Sequence, residues 1–179
     1  GTETIVGPGH DCAVVRCGGR RYLLTVDALV EGTHFLRDWL TPVQLGRKSV
    51  LVNVSDAAAM GGQPRFCLVA MSAPPTIPAR DLRAIQNGAV AAAGACGATV
   101  VGGNLTRGRE LSVSVTLVAE APRRLVTRHG ARPGDAVYVT GTLGDAALAA
   151  ANLSSGQPVP PAALRRYRIP PVRLQAGRT

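Results

Sequence analysis

From Leu111 to Glu120 the chain alternates without a break: Leu111, Val113, Val115 and Leu117 fall on one side, Ser112, Ser114 and Thr116 on the other. A period of two belongs to a β-strand with one face in a core and the other outside it. The rest of the first 122 residues must therefore supply partners for that strand and a layer to cover its apolar face. Two shorter strands are expected at Ala13–Val15 and Tyr22–Val26, turning at Gly18-Gly19, with others at Phe66–Ser72 and Ala98–Val101. Thr41-Pro42 reads as an N-cap with proline in the first helical position, opening a helix that runs to about Met60 and stops at Gly61-Gly62. A second helix is expected from Ala79 to about Ala95, ended by Gly97.

Strands, helix, strand, helix, strand, strand is the order of an α+β domain with helices on one side of a sheet. It should end near Pro122, giving a first domain at 1–122, a linker at 123–133 and the start of a second α/β domain at 134–179. In that last part a strand is expected at Ala136–Thr140 and a helix from Asp145. From about Ser154 the chain is rich in Pro and Arg, without convincing periodicity. Aromatic residues make up only 3% of the sequence, so the core must be built from Val, Leu and Ala.

The formal charge of +9 is unevenly spread. Residues 1–122 carry 11 Lys and Arg against nine acids; residues 123–179 carry nine Arg against two. A basic tail of this kind suits an acidic partner surface at least as well as nucleic acid, and no nucleic-acid partner is expected. Cys12, Cys17, Cys67 and Cys96 form no CxxC pair and have no His at zinc spacing, which is the pattern of reduced thiols in a cytoplasmic protein. No secretory or membrane-length apolar run is present, so no membrane association is expected.

Acids are scarce, which makes the placement of three of them informative. Asp11 follows Gly7-Pro-Gly-His, Asp27 ends Thr25-Val-Asp, and Asp56 closes Asn53-Val-Ser-Asp in an apolar helix segment. A carboxylate on such a face is costly unless it is paired or bound to metal, and Lys48, two turns earlier, is too far to be its direct partner. Mg²⁺ takes one or two carboxylates together with water and substrate phosphates. Acids delivered from separate segments therefore point to phosphoryl transfer. Gly102-Gly-Asn-Leu-Thr-Arg107-Gly108 reads as a loop whose backbone N–H groups could cradle phosphate.

Several of these segments together resemble the thiamine-monophosphate kinase family. They are Asp27-Ala-Leu-Val-Glu-Gly-Thr-His34-Phe35, Lys48 through Asn53-Val-Ser-Asp56-Ala-Ala-Ala-Met60-Gly61, Gly102-Gly103 with Thr106-Arg107-Gly108, and Val126 through Asp145. That family lies in the superfamily of aminoimidazole ribonucleotide (AIR) synthetase, selenophosphate synthetase and the hydrogenase maturation factor HypE. The resemblance implies an AIR-synthetase N-terminal-like domain, a half-barrel that pairs in a homodimer. It implies direct in-line transfer from ATP to thiamine monophosphate with several Mg²⁺ ions and no enzyme nucleophile. By similarity Asp11, Thr25, Val26 through its carbonyl, Asp27 and Asp56 would bind metal. His34 would contact the thiamine phosphate, and Gly103, Asn104 and Arg128 would lie at the nucleotide. Departures stand at His10, Val26 and Asn104, where the family carries Asp, Thr and Asp, and at Gln86-Asn87-Gly88, where an aromatic often precedes the glycine. The second domain, with its Asp-x-Ser-Asp metal motif, is expected to be incomplete within this sequence. The alternatives are a degenerate relative that binds nucleotide or a partner protein without turnover, and a cyclo-ligase of the same superfamily, against which the His34 segment argues.

Overall fold

A computed structural model describes residues 3–178. The strands are β1 (Glu3–Val6), β2 (Ala13–Cys17), β3 (Arg20–Val30), β4 (Gln63–Ala73), β5 (Thr99–Arg107) and β6 (Ser112–Glu120). They form one sheet in the order β1-β2-β3-β6-β4-β5, antiparallel except for the parallel pair β4–β5. That parallel pair is joined by a helix, as a crossover requires. The helices are α1 (Pro42–Ala59), α2 (Ala79–Ala95), α3 (Asp145–Ser154) and α4 (Pro161–Arg168). The fold is α+β, with α1 and α2 layered on one face of the mixed sheet.

The alternating segment is β6, held between β3 and β4. Val113, Val115 and Leu117 are fully buried beneath the helices, while Ser112, Ser114 and Thr116 point to the other face. On that open face Val26, Phe66 and Leu68 remain exposed, because no helix covers it. Helix α1 starts as its sequence requires: Thr41 caps the N–H of Gln44, the Gln44 side chain returns the bond to the Thr41 N–H, and Pro42 opens the first turn. It ends at Met60, before Gly61 in the left-handed region. The two layered helices touch closely, since a Cβ on Gly46 would collide with the Ile85 carbonyl.

Four expectations change. The short edge strand β1 carries too brief a pattern to be read from sequence. The segment from Gly102 to Arg107 is not a loop: β5 runs through it, paired with Leu68–Ala73 of β4. The glycine there serves close approach, since a Cβ on Gly103 would strike the Val69 carbonyl. Ala136–Thr140 forms no strand, because no neighbouring strand is there to pair with it. Finally, the Pro- and Arg-rich tail contains α4, opened by Pro161 and anchored by buried Ala163 and Tyr167, an i, i+4 pair. No helix among the described residues is long and apolar enough to cross a membrane.

Candidate metal and nucleotide site

The acids converge on the seam between β3 and the second half of α1. Ala13 pairs with Leu24, so Asp11, just before β2, arrives beside the middle of β3. Thr25 and Asp27 project from β3 towards α1, because alternate residues share a face. Thr25 Oγ1 donates to Asp56 Oδ2 on α1 at 2.9 Å. The Asp27 N–H donates to Asn53 Oδ1 at 3.0 Å, while Asn53 Nδ2 donates to the Ser49 carbonyl at 2.9 Å. Asn53 is fully buried and stitches helix to strand one turn before Asp56. Its signal was visible as a polar residue on an apolar helix face, but its bridging role needed the strand to be placed. Val26 turns its side chain to the open face, so whatever it offers the acids is backbone.

Asp56 senses the other two acids. Burial pushes the Asp56 carboxyl up; the Thr25 hydroxyl pulls it down, and the negative charges of Asp27 and Asp11 raise it further. Asp11 is held low because Arg128 Nη2 donates to its Oδ1 at 2.6 Å. The Arg128 N–H also reaches His10 Nδ1 at 3.4 Å, and His10 meets His129 edge to face at 5.1 Å. Among the described residues no three His, Cys, Asp or Glu side chains converge tightly enough to enclose a metal by themselves. The donors nevertheless fit Mg²⁺, a hard cation that keeps water and phosphate ligands. A half-buried carboxylate destabilised by two like charges, with a hydroxyl beside it, gains from a cation.

The remaining sequence-derived residues lie elsewhere. His34 follows β3, in an exposed turn where its Nδ1 accepts from the Val30 N–H at 3.1 Å. Gly103 and Asn104 are on β5, three strand spacings from β3, about 14 Å across the sheet. They line a cleft of about 480 Å³ between β5 and α2, floored by Val69, Met71 and Val90 with Gln86 at its side. Arg128 stands at the acid seam on Asp11, not at this cleft.

A fold of this order with acids on the α1–β3 seam can be compared with known proteins. Residues 9–121 match the family model described as AIR synthase related protein, N-terminal domain. The chain belongs to the AIR synthase-related family. Its relatives within that family include the thiamine-monophosphate kinase of Mycobacterium tuberculosis, 39% identical over 80% of this chain and 43% of that protein. The Aquifex aeolicus thiamine-monophosphate kinase is 41% identical over 76% of this chain and 44% of that protein. A solved structure described as AaThiL complexed with AMPPCP and TMP superposes with a TM-score of 0.84 at 36% identity, covering 94% of this chain and 55% of that one. HypE in complex with ATP shares the fold, with a TM-score of 0.60 at 22% identity, over 76% of this chain and 42% of that one. The chain thus spans about half the length of the AIR synthase-related proteins it matches.

Proposed function

We propose that this chain supplies the nucleotide- and Mg²⁺-binding half of a thiamine-monophosphate kinase, which transfers the γ-phosphoryl of ATP to thiamine monophosphate. The observation that carries the reading is the acid seam: Asp56 and Thr25 bonded to each other, Asp27 anchored by Asn53, and Asp11 beside them. Mg²⁺ bound there would neutralise polyphosphate charge and align its oxygens for in-line displacement. Asp11, Asp27 and Asp56 would hold it, with Thr25 as a further oxygen donor. Arg128 is placed to leave Asp11 for a phosphate of the nucleotide, since a guanidinium forks onto phosphate as readily as onto carboxylate. The cleft beside Gly103 and Asn104 suits a flat heterocycle, with an apolar floor and the Gln86 amide for orientation. His34, held through Nδ1, carries its proton on Nε2 when neutral and would present that N–H to the thiamine phosphate.

The resemblance to the family also supports a homodimer, in which the open sheet face carrying Val26, Phe66 and Leu68 covers a second copy. Four free cysteines accord with a reducing compartment such as the cytoplasm. The second reading, nucleotide binding without turnover, is favoured by the occupied Asp11 and by Asn104 in place of an acid. Calorimetric titration with AMPPCP, with and without Mg²⁺, tests the site. Binding that requires both Mg²⁺ and Asp56 is expected, with Asp56→Ala abolishing it. Equal binding by Asp56→Ala would sink the metal assignment, and Mg²⁺-dependent binding without turnover would favour the second reading.

A further inference from the structure

Helix α4 makes an unusual set of polar contacts for a short surface helix. Tyr167 Oη donates to the His34 carbonyl at 2.9 Å, across 133 residues of sequence. The next residue, Arg168, donates from Nε to the Trp39 carbonyl at 2.7 Å. Two consecutive side chains thus hold backbone carbonyls near both ends of the turn between β3 and α1. The Tyr167 ring lies under Lys48 Nζ, 3.4 Å from the ring centroid, and meets Trp39 edge-on at 6.1 Å. Lys48 and Asp56 share one face of α1 at i, i+8. Tyr167 therefore touches the His34 turn and the helix that carries Asp56.

We propose that α4 is the clamp of the His34 turn, and that Tyr167 is a positioning residue that sets the His34 imidazole through its backbone carbonyl. The turn has its own restraints: the His34 N–H donates to the Val30 carbonyl at 2.8 Å, and Phe35 is buried in the core. Those restraints fix where the turn sits. The Gly32 N–H adds a bond to the Phe35 carbonyl at 2.9 Å, and among the described residues none of these bonds uses the His34 carbonyl, the acceptor that the phenol hydroxyl takes. Simple packing of α4 would need only the Tyr167 ring. A buried phenol could take any acceptor, yet this one and its neighbour both select the backbone of the substrate turn. The catalytic consequence rests on the reading of His34 as a thiamine phosphate contact; the clamp itself does not.

Tyr167→Phe is the decisive variant, since it keeps the ring, the Lys48 contact and the Trp39 contact while removing one hydroxyl. Trp39 is the chain's single tryptophan, so its emission reports on α4 docking at one site. The expected result has three parts. Melting and Trp39 emission stay as in the wild type. The ring-nitrogen NMR signals of His34, a single Nε2–H tautomer in the wild type, shift towards tautomer averaging. The Kd for thiamine monophosphate weakens about fivefold, the effect of one ordinary hydrogen bond, while the Kd for AMPPCP is unchanged. Unchanged His34 signals in Tyr167→Phe overturn the clamp, as does an equal loss of both ligands. A wild-type chain that binds no thiamine monophosphate counts against the kinase reading alone, and the His34 signals still decide the clamp. Arg168→Met, which releases the Trp39 carbonyl, is expected to shift Trp39 emission; no shift there also counts against it.

Discussion

Two segments of this chain carry the same local signal and meet opposite fates. Ser112–Glu120 and Ala136–Thr140 are both rich in Val and other β-formers. The first is β6, with β3 on one side, β4 on the other and two helices over one face. The second is irregular chain, with Val137, Tyr138 and Val139 at 92%, 87% and 60% exposure. Strand propensity is a measure of fit to a pleated, half-buried surface, and only the first segment has one. The same contrast separates functional residues. Asp56 is forced into a half-buried seam by the elements around it, whereas Asp135, beside the exposed segment, merely closes a turn by accepting from the Arg132 N–H at 2.8 Å.

The contrast can be tested with matched substitutions. Val115→Pro removes a donor and a buried side chain from a central strand, and should cost at least about 3 kcal/mol in urea unfolding. Val137→Pro should stay within about 0.5 kcal/mol of the wild type. A comparable loss at both positions would show that residues 136–140 pair with something after all.

Lys48 gives a smaller effect that depends on pH. Burial pushes its ammonium down to about 8, from an ordinary value of 10.5. Between those two values the unfolded chain binds more protons than the folded one, so stability rises with pH across that window. The wild type should therefore gain on Lys48→Met from pH 8 to 10.5, by about 1–2 kcal/mol once solvent screening of this part-exposed ammonium is discounted, less what the Tyr167 ring returns to the cation. A flat difference across that window would show that the ring compensates burial in full.

Smallest is the paired test of acids. Asp56→Asn should modestly stabilise the metal-free protein at pH 7, because it removes a charge that burial disfavours and that faces Asp27 and Asp11. Since the folded-state value of Asp56 is raised, protonation favours the fold. The advantage of the amide should thus begin to shrink as the pH falls below the raised value and be gone below the ordinary value of 3.8, where the carboxyl is neutral in both states. Asp135→Asn should change thermal melting hardly at all. If it stabilises as much as Asp56→Asn, the seam is not what strains Asp56.

The parts legible in the sequence are those governed by near neighbours. Period-two alternation announced β6, and the Thr41–Gln44 capping box with Pro42 announced α1, because hydrogen bonds within a few residues decide both. The acids at 11, 27 and 56 stood out through scarcity and an apolar setting, again a local property. What the sequence could not decide depends on groups brought from afar. Gly102-Gly103 reads as a loop until β4 lies beside it and makes a missing Cβ necessary. Arg128 pairs with Asp11 across 117 residues, a contact that no local pattern announces. Asn53 and Tyr167 acquire roles only when β3 and the His34 turn are placed against them. Periodicity and caps are written into each segment, but which strand pairs, which glycine must stay bare and which cation meets which acid follow from packing between segments.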